Sequence, residues 1–285
     1  MAAALPLVEL CWKEDWAAAR QHLVDWWAGT GLVLWVTAPR DVPAADLPAP
    51  APAASLQERW YSPQWRLRQQ EHAISRCFFG GDAFPLFSTV SAAGDLATYL
   101  GCPPRLSPET VWCDPCIGDP PEAHPDIRLD RDAQAWRQQL AMVELAVRES
   151  QGRWLVMMPD LVENLDILSA MRGPQAVMYD LADRPEWVQT RLDQINAAYF
   201  ESFAAFQELV RDGFGGNSFC FSVWGPGRTA KVQCDACAMI GPAMFRRIVA
   251  PALAAQCRWL DYSLFHLDGE DCLPGLDELL AVAPL

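Results

Sequence analysis

Positive charge is what this sequence has least of: 22 Lys and Arg face 36 Asp and Glu over 285 residues, a formal net charge of −14. A surface this acidic repels nucleic-acid phosphates and anionic lipid unless basic residues gather in a patch, and here they stand singly or in pairs. Neither nucleic acid nor a membrane surface is an expected partner. Long apolar runs are missing too. No stretch reaches the roughly 18 uninterrupted apolar residues of a membrane span. The opening MAAALPLVELCWKEDW lacks the basic region and clean apolar segment of a secretory signal. The expected location is the cytoplasm, where the ten cysteines stay reduced and form no disulfide framework.

What the chain does have is core material. Hydrophobic residues make up 51% and there are 13 tryptophans, well beyond a disordered acidic chain. The length suits one large α/β domain spanning residues 1–285. Trp12, Trp16, Ala19, Leu23 and Trp26 share a helical spacing that ends at Gly29 and Gly31, before a strand-like Leu32 to Val36. Residues 1–60 read as an N-terminal extension holding a Pro/Ala-rich loop, 38–55, with five prolines. Ser62-Pro63 opens a helix. Further helices are expected over 133–149, from Asp183 to about Arg211, from Pro242 with a kink at Pro251, and over 276–280. Strands are expected at 83–90, 154–159, 218–224 and 262–267, with weaker ones at 32–36 and 110–117. Strands separated by helices are the pattern of parallel βαβ units, and no spacing points to adjacent β-hairpins.

In parallel α/β folds, ligands meet the loops beyond the carboxyl ends of the strands. Three such places carry chemistry. At Met158-Pro159-Asp160 an acid leaves an apolar strand, suited to accepting a proton or to capping its own loop. At Val223-Trp224-Gly225-Pro226-Gly227-Arg228 a flat aromatic precedes a tight turn and a guanidinium suited to carboxylates; a structural turn with a surface Arg weighs equally. At Phe265-His266-Leu267-Asp268-Gly269, strand alternation puts His266 and Asp268 on one side, as zinc ligands or as an acid/base pair. Cys113-Asp-Pro-Cys116 and Cys234-Asp-Ala-Cys237 are both CxxC, but the second pair begins 118 positions after the first ends, far from the roughly 15–20 of a zinc ribbon. Neither clearly opens a helix after a strand, as a redox pair would, so both read as apolar fillers.

These segments resemble the uroporphyrinogen decarboxylase-like superfamily, which includes the cobalamin-dependent methyltransferases. The residues that carry the likeness, from about Trp12 onward, are Trp65-Arg-Leu-Arg-Gln-Gln-Glu, Gly81-Asp-Ala-Phe-Pro, Tyr99-Leu-Gly-Cys, Pro159-Asp-Leu with Leu165-Asp-Ile-Leu, Trp224-Gly-Pro-Gly-Arg, Gln233-Cys-Asp, and Gln256-Cys-Arg-Trp-Leu-Asp-Tyr-Ser-Leu-Phe-His-Leu-Asp-Gly. The resemblance implies a TIM-type (β/α)8 barrel with its pocket at the C-terminal mouth. The methyltransferase branch is similar at a His-x-Cys zinc site that activates a thiol toward a methyl-corrinoid; here His266 matches and Asp268 replaces the Cys. The decarboxylases have an arginine-bearing strand where this chain has Phe84-Pro-Leu-Phe-Ser-Thr89. Family members also continue beyond Leu276 to Leu280, so the barrel is expected to be incomplete at its C-terminal side.

The resulting expectation is methyl transfer or related one-carbon chemistry on a small organic substrate, with a corrinoid protein and further copies of the chain as candidate partners. His266 and Asp268 would hold zinc or the reacting group, Asp160 would orient or deprotonate, Arg228 would grip an anionic group and Trp224 would wall the pocket. The alternatives are a metal-free porphyrinogen decarboxylase using Asp160 and Arg228, and an inactive binding scaffold.

Overall fold

In the computed structural model the described residues are 9–91 and 94–282. Residues 1–8, read above for a leader, and the last three lie outside them. The chain forms two compact units, the first from Met1–Ser91, Gln138–Pro159 and Phe206–Thr229, the second from Ala92–Arg137, Asp160–Ala205 and Ala230–Leu285. No helix among the described residues is long and apolar enough to cross a membrane.

In the first unit, helix Trp16–Trp27 buries Trp16, Ala19 and Leu23, one helical face, against Leu10, Phe84 and Trp224. Trp16 meets Phe84 at 5.0 Å and the edge of Trp224 at 6.0 Å between ring centroids. Strand Trp35–Pro39 pairs antiparallel with Cys77–Gly81. The buried Lys13 ties this ribbon down, its Nζ donating to the carbonyls of Phe79 and Gly81. Ser62 caps helix Pro63–Ser75, its hydroxyl accepting from the Trp65 N–H, a contact of about 1 kcal/mol.

The expected (β/α)8 barrel is not what the chain forms. The sheets among the described residues are two-stranded, whereas a closed barrel needs every strand paired on both sides. Leu86–Phe87 pairs parallel with Leu155–Val156, and a single parallel bridge joins Met157 to Ser218. The expected strand 83–90 shrinks to two residues for a visible reason. Beyond Phe87, the backbone groups a barrel strand would offer its neighbours are taken by side chains. Gln70 both donates to the Ser88 carbonyl and accepts from the Ser88 N–H. Arg66 reaches the carbonyls of Ser88, Thr89 and Val90, and Gln139 that of Thr89. The expected strand 218–224 is instead a hairpin, Asn217–Phe219 against Val223–Gly225, with Ser222 at φ +58 in the turn. A second hairpin joins Pro104–Leu106 to Val111–Cys113. Both contradict the all-parallel reading.

The second unit is mainly helical. Asn164–Arg172 and Pro174–Asp183, neither foreseen, fill the interval between the Asp160 loop and helix Pro185–Val210. Asp183 therefore ends one helix and does not cap the next. Pro242–Met244 leads through a π-helical turn, Phe245–Val249, into Ala250–Trp259. The irregularity falls just before Pro251, which has no N–H to continue the α pattern. Trp259 packs on Phe200 and Phe203. Strand Thr229–Gln233, also unforeseen, lies beside Tyr262–His266. Two 3₁₀ turns, Asp235–Met239 and Glu270–Gly275, pack on each other before helix Leu276–Leu280.

Candidate functional site

The second unit concentrates the polar chemistry where the Asp160 loop meets strand Thr229–Gln233. In the loop Val162 has φ +52 and Asn164 φ +38. A left-handed conformation costs a residue other than glycine about 1–2 kcal/mol, and a β-branched one is a clear outlier. The surroundings hold it in place. The N–H groups of Asp95 and Leu96 donate to the carbonyls of Asp160 and Leu161. Asn164 accepts from the Leu165 N–H and donates to Gln256 Oε1 at 3.4 Å. Between the two strained residues Glu163 is fully buried.

A directed chain of side chains crosses the site. Lys231 is one of only two lysines in the sequence and is 7% exposed. Its Nζ lies 2.9 and 3.1 Å from the two carboxylate oxygens of Asp160 and donates to Gln233 Oε1. That ammonium fixes which end of the Gln233 amide is oxygen, so Nε2 points the other way. Nε2 donates to Asp166 at 3.2 Å and to Asp235 at 3.1 Å. Asp166, in the first turn of helix Asn164–Arg172, also accepts the N–H groups of Asp235 and Ala236, both at 2.9 Å, which pins the turn that carries Asp235.

Burial sets the protonation of this network. Desolvation pushes the Glu163 carboxyl well above the usual carboxylate range, and neither the Lys231 charge nor the Gln233 N–H, which Glu163 Oε1 accepts, reverses it. Its Oε2 has no hydrogen-bond partner among the described residues. Asp235 is raised as well, by burial first and then by the negative charges of Asp166 and Asp268, with His266 and Lys231 pulling the other way. A cavity of about 330 Å³ opens here, with Asp166, Ser169, Gln233 and Asp235 as its polar lining and Val162, Ile167, Ala236 and Met239 among its apolar walls. That volume is at the small end of ligand pockets.

Three of the residues singled out from sequence fall in this neighbourhood. Asp160 anchors Lys231. His266, half-buried at its strand end, and the exposed Asp268 are close enough for their charges to act on Asp235. Trp224 and Arg228 belong to the first unit. Trp224 is 1% exposed, donates from Nε1 to Asp212 at 2.8 Å and overlies Gly216, where a Cβ would meet the indole at 2.5 Å. Arg228 is half-buried. Sequence reasoning gave no functional role to Glu163, Lys231, Gln233 or Asp235, although Gln233-Cys-Asp is among the segments that carry the resemblance. The alternation of Ala230 and Val232 with Lys231 and Gln233 was the available signal for the strand that carries two of them.

Among the described residues no group of three or more His, Cys, Asp or Glu has the placement to hold a metal ion, so no third ligand joins His266 and Asp268. Tetrahedral zinc sites take at least three protein ligands.

No protein-family model matches the chain, and no curated protein matches it. Among solved structures it is similar in fold to a methyltransferase from Methanosarcina mazei, at 12% identity and a TM-score of 0.59, over 93% of this chain and 73% of that one. The likeness is one of fold.

Proposed function

We propose that this chain catalyses methyl transfer to a small organic acceptor, with Asp235 as the base that prepares the acceptor. The fold likeness to a methyltransferase supports the reaction class. The observation that carries the chemistry is the hydrogen-bonded chain Asp160–Lys231–Gln233–Asp235, which ends on the cavity.

Methyl transfer is an in-line displacement, so the acceptor must present a lone pair that a bound proton would occupy. Asp235 meets the requirement for a base. Its carboxyl is raised above the ordinary aspartate range, which strengthens it as a proton acceptor, and it faces the cavity. Gln233 orients it, Lys231 orients Gln233, and Asp160 holds Lys231 in place. Asp160 is thus a positioning residue. Burial pushes the Glu163 carboxyl well above the usual range, which favours its uncharged form beside Asp160 and Asp166. No step is routed through zinc. The resemblance to corrinoid-dependent enzymes names the donor class, a corrinoid presented by a partner protein.

Free methylcobalamin carrying an isotopically labelled methyl group, offered with a panel of small thiols, amines and alcohols, tests the proposal by mass spectrometry of the acceptors. Asp235→Asn is expected to lower kcat by about 100-fold or more while KM changes little, as removal of a general base does. The wild-type rate should climb with pH as Asp235 loses its proton. Wild-type kcat in the Asp235→Asn protein, or no labelled acceptor with the wild-type chain, overturns the proposal.

A further inference from the structure

Three cysteines of the second unit form a cluster that the methyl-transfer proposal leaves unused. Cys234 follows directly on strand Thr229–Gln233, and Cys237 lies in the 3₁₀ turn Asp235–Met239 that the strand enters. The pair thus spans the passage from a strand into a five-residue 3₁₀ turn, which the sequence did not disclose because the strand itself went unrecognised. The turn is closed by the Cys237 N–H donating to the Cys234 carbonyl at 3.1 Å. The second 3₁₀ turn, Glu270–Gly275, packs on it and brings in Cys272. The thiols of Cys234 and Cys272 are the donors within reach of that of Cys237. Cys234 and Cys272 are 1% and 3% exposed, while Cys237 is half-buried and open to a small reagent. In the other C-D-x-C motif the contact is with a cysteine outside the motif: the half-buried Cys116 lies 3.4 Å, sulfur to sulfur, from the buried Cys102.

We propose that Cys237 and Cys234 form a redox-active dithiol that exchanges with low-molecular-weight disulfides, Cys237 as nucleophile and Cys234 as resolving thiol. In the first step the Cys237 thiolate attacks one sulfur of RS–SR. An S–S bond to Cys237 forms, the R–S–S–R bond breaks, and RS⁻ departs with the electron pair. In the second step Cys234, giving up its proton, attacks the Cys237 sulfur and expels the second RS⁻. The protein dithiol is oxidised by two electrons, the small disulfide is reduced to two thiols, and the Cys234 and Cys237 protons end on those thiols.

The surroundings suit these roles. The hydrogen bond from Cys234, joined by the one from Cys272, lowers the Cys237 thiol to about 7 against the opposing effects of burial and of the Asp166 and Asp235 charges. Near neutral pH its thiolate share therefore exceeds that of an ordinary thiol, near 8.5. Cys234, by contrast, is pushed well above the ordinary thiol range by its hydrogen bond to Cys237 and by burial, which suits it to resolve rather than to initiate. The turn that the new bond would close also supplies Asp235, Ala236 and Met239 to the cavity wall.

Incubating the full chain with oxidised glutathione, without air, tests the assignment. The wild type should develop a Cys234–Cys237 disulfide by peptide mapping, with two glutathione thiols released for each one formed. Cys234→Ser should stop halfway and hold glutathione on Cys237. Cys237→Ser should form neither species at this site. A second measurement needs no variant: near pH 7, iodoacetamide should label Cys237 of the wild type about threefold faster than the exposed Cys11, the thiolate gain less its lower nucleophilicity. Cys11 labelling or glutathionylating ahead of Cys237 overturns the proposal. A Cys234→Ser chain that still resolves to a disulfide at Cys237 overturns the role given to Cys234.

Discussion

Replacing Glu163 by glutamine isolates the energetic consequence of burying an ionisable group with one oxygen unengaged. Glu163 is fully buried, and desolvation raises its carboxyl well above the usual range despite the nearby Lys231. The sign follows from proton counting. Below about pH 4 the group is protonated in the folded and the unfolded chain alike and contributes no pH dependence. Between the unfolded value, about 4.3, and the raised folded one, only the unfolded chain releases the proton, so rising pH favours unfolding by about 1.4 kcal/mol for each pH unit. Glutamine ionises in neither state and abolishes that loss.

The expected result is a stability difference, Glu163→Gln protein minus wild type, that grows with this slope as pH rises from about 5 toward neutrality and levels off above the folded pKa. The substitution also places an amide NH₂ where Oε2 has no partner, which adds a pH-independent penalty of about 1–2 kcal/mol. The slope is therefore the readout and the offset is not. Urea unfolding of both proteins across that pH range, compared at a common m-value, measures it. A difference that stays flat with pH refutes the assignment of a neutral Glu163.

Lys231→Met should destabilise the second unit by about 3–5 kcal/mol, because it strands the Asp160 carboxylate, 12% exposed, without its cation. The double variant with Asp160→Asn should recover a large part of that loss; urea midpoints that simply add would show that the pair is not coupled. At the hairpin turn, Ser222→Gly should raise stability by about 1 kcal/mol by relieving the left-handed φ of +58. A lower thermal midpoint for that variant would mean that contacts of the Ser222 side chain outweigh its backbone strain.

Local signals in the sequence proved dependable where they acted through neighbouring backbone. Ser62-Pro63 predicted a capped helix start, and the cap is there. Helix 276–280 was placed to the residue. The larger architecture failed where side chains from elsewhere in the chain intervene. The segment Ala83 to Val90 is rich in apolar and β-favouring residues, Pro85 aside, yet Arg66, Gln70 and Gln139 claim its carbonyls beyond Phe87. No periodicity within 83–90 contains that information, because the competitors lie some 20 to 50 positions away.

The same reasoning explains which parts of the site were legible. Asp160, His266 and Asp268 stand at strand ends, where a local rule points to them. Glu163 follows no such rule: an acid a few residues past an apolar strand end reads as solvated loop, and only the fold reveals that it is sealed between Val162 and Asn164 in a conformation those residues disfavour. Lys231 illustrates the converse. In a chain whose other cations save Lys13 are all arginines, a lysine within an alternating TAKVQ segment was visible as an exception. Lysine's compact ammonium and flexible stem suit a buried site where the charge must be shared between a carboxylate and an amide oxygen, whereas a guanidinium favours a planar, bidentate partner. Both lysines are buried on acceptors supplied by distant parts of the chain, so each ammonium ties together segments that the sequence holds some 70 positions apart.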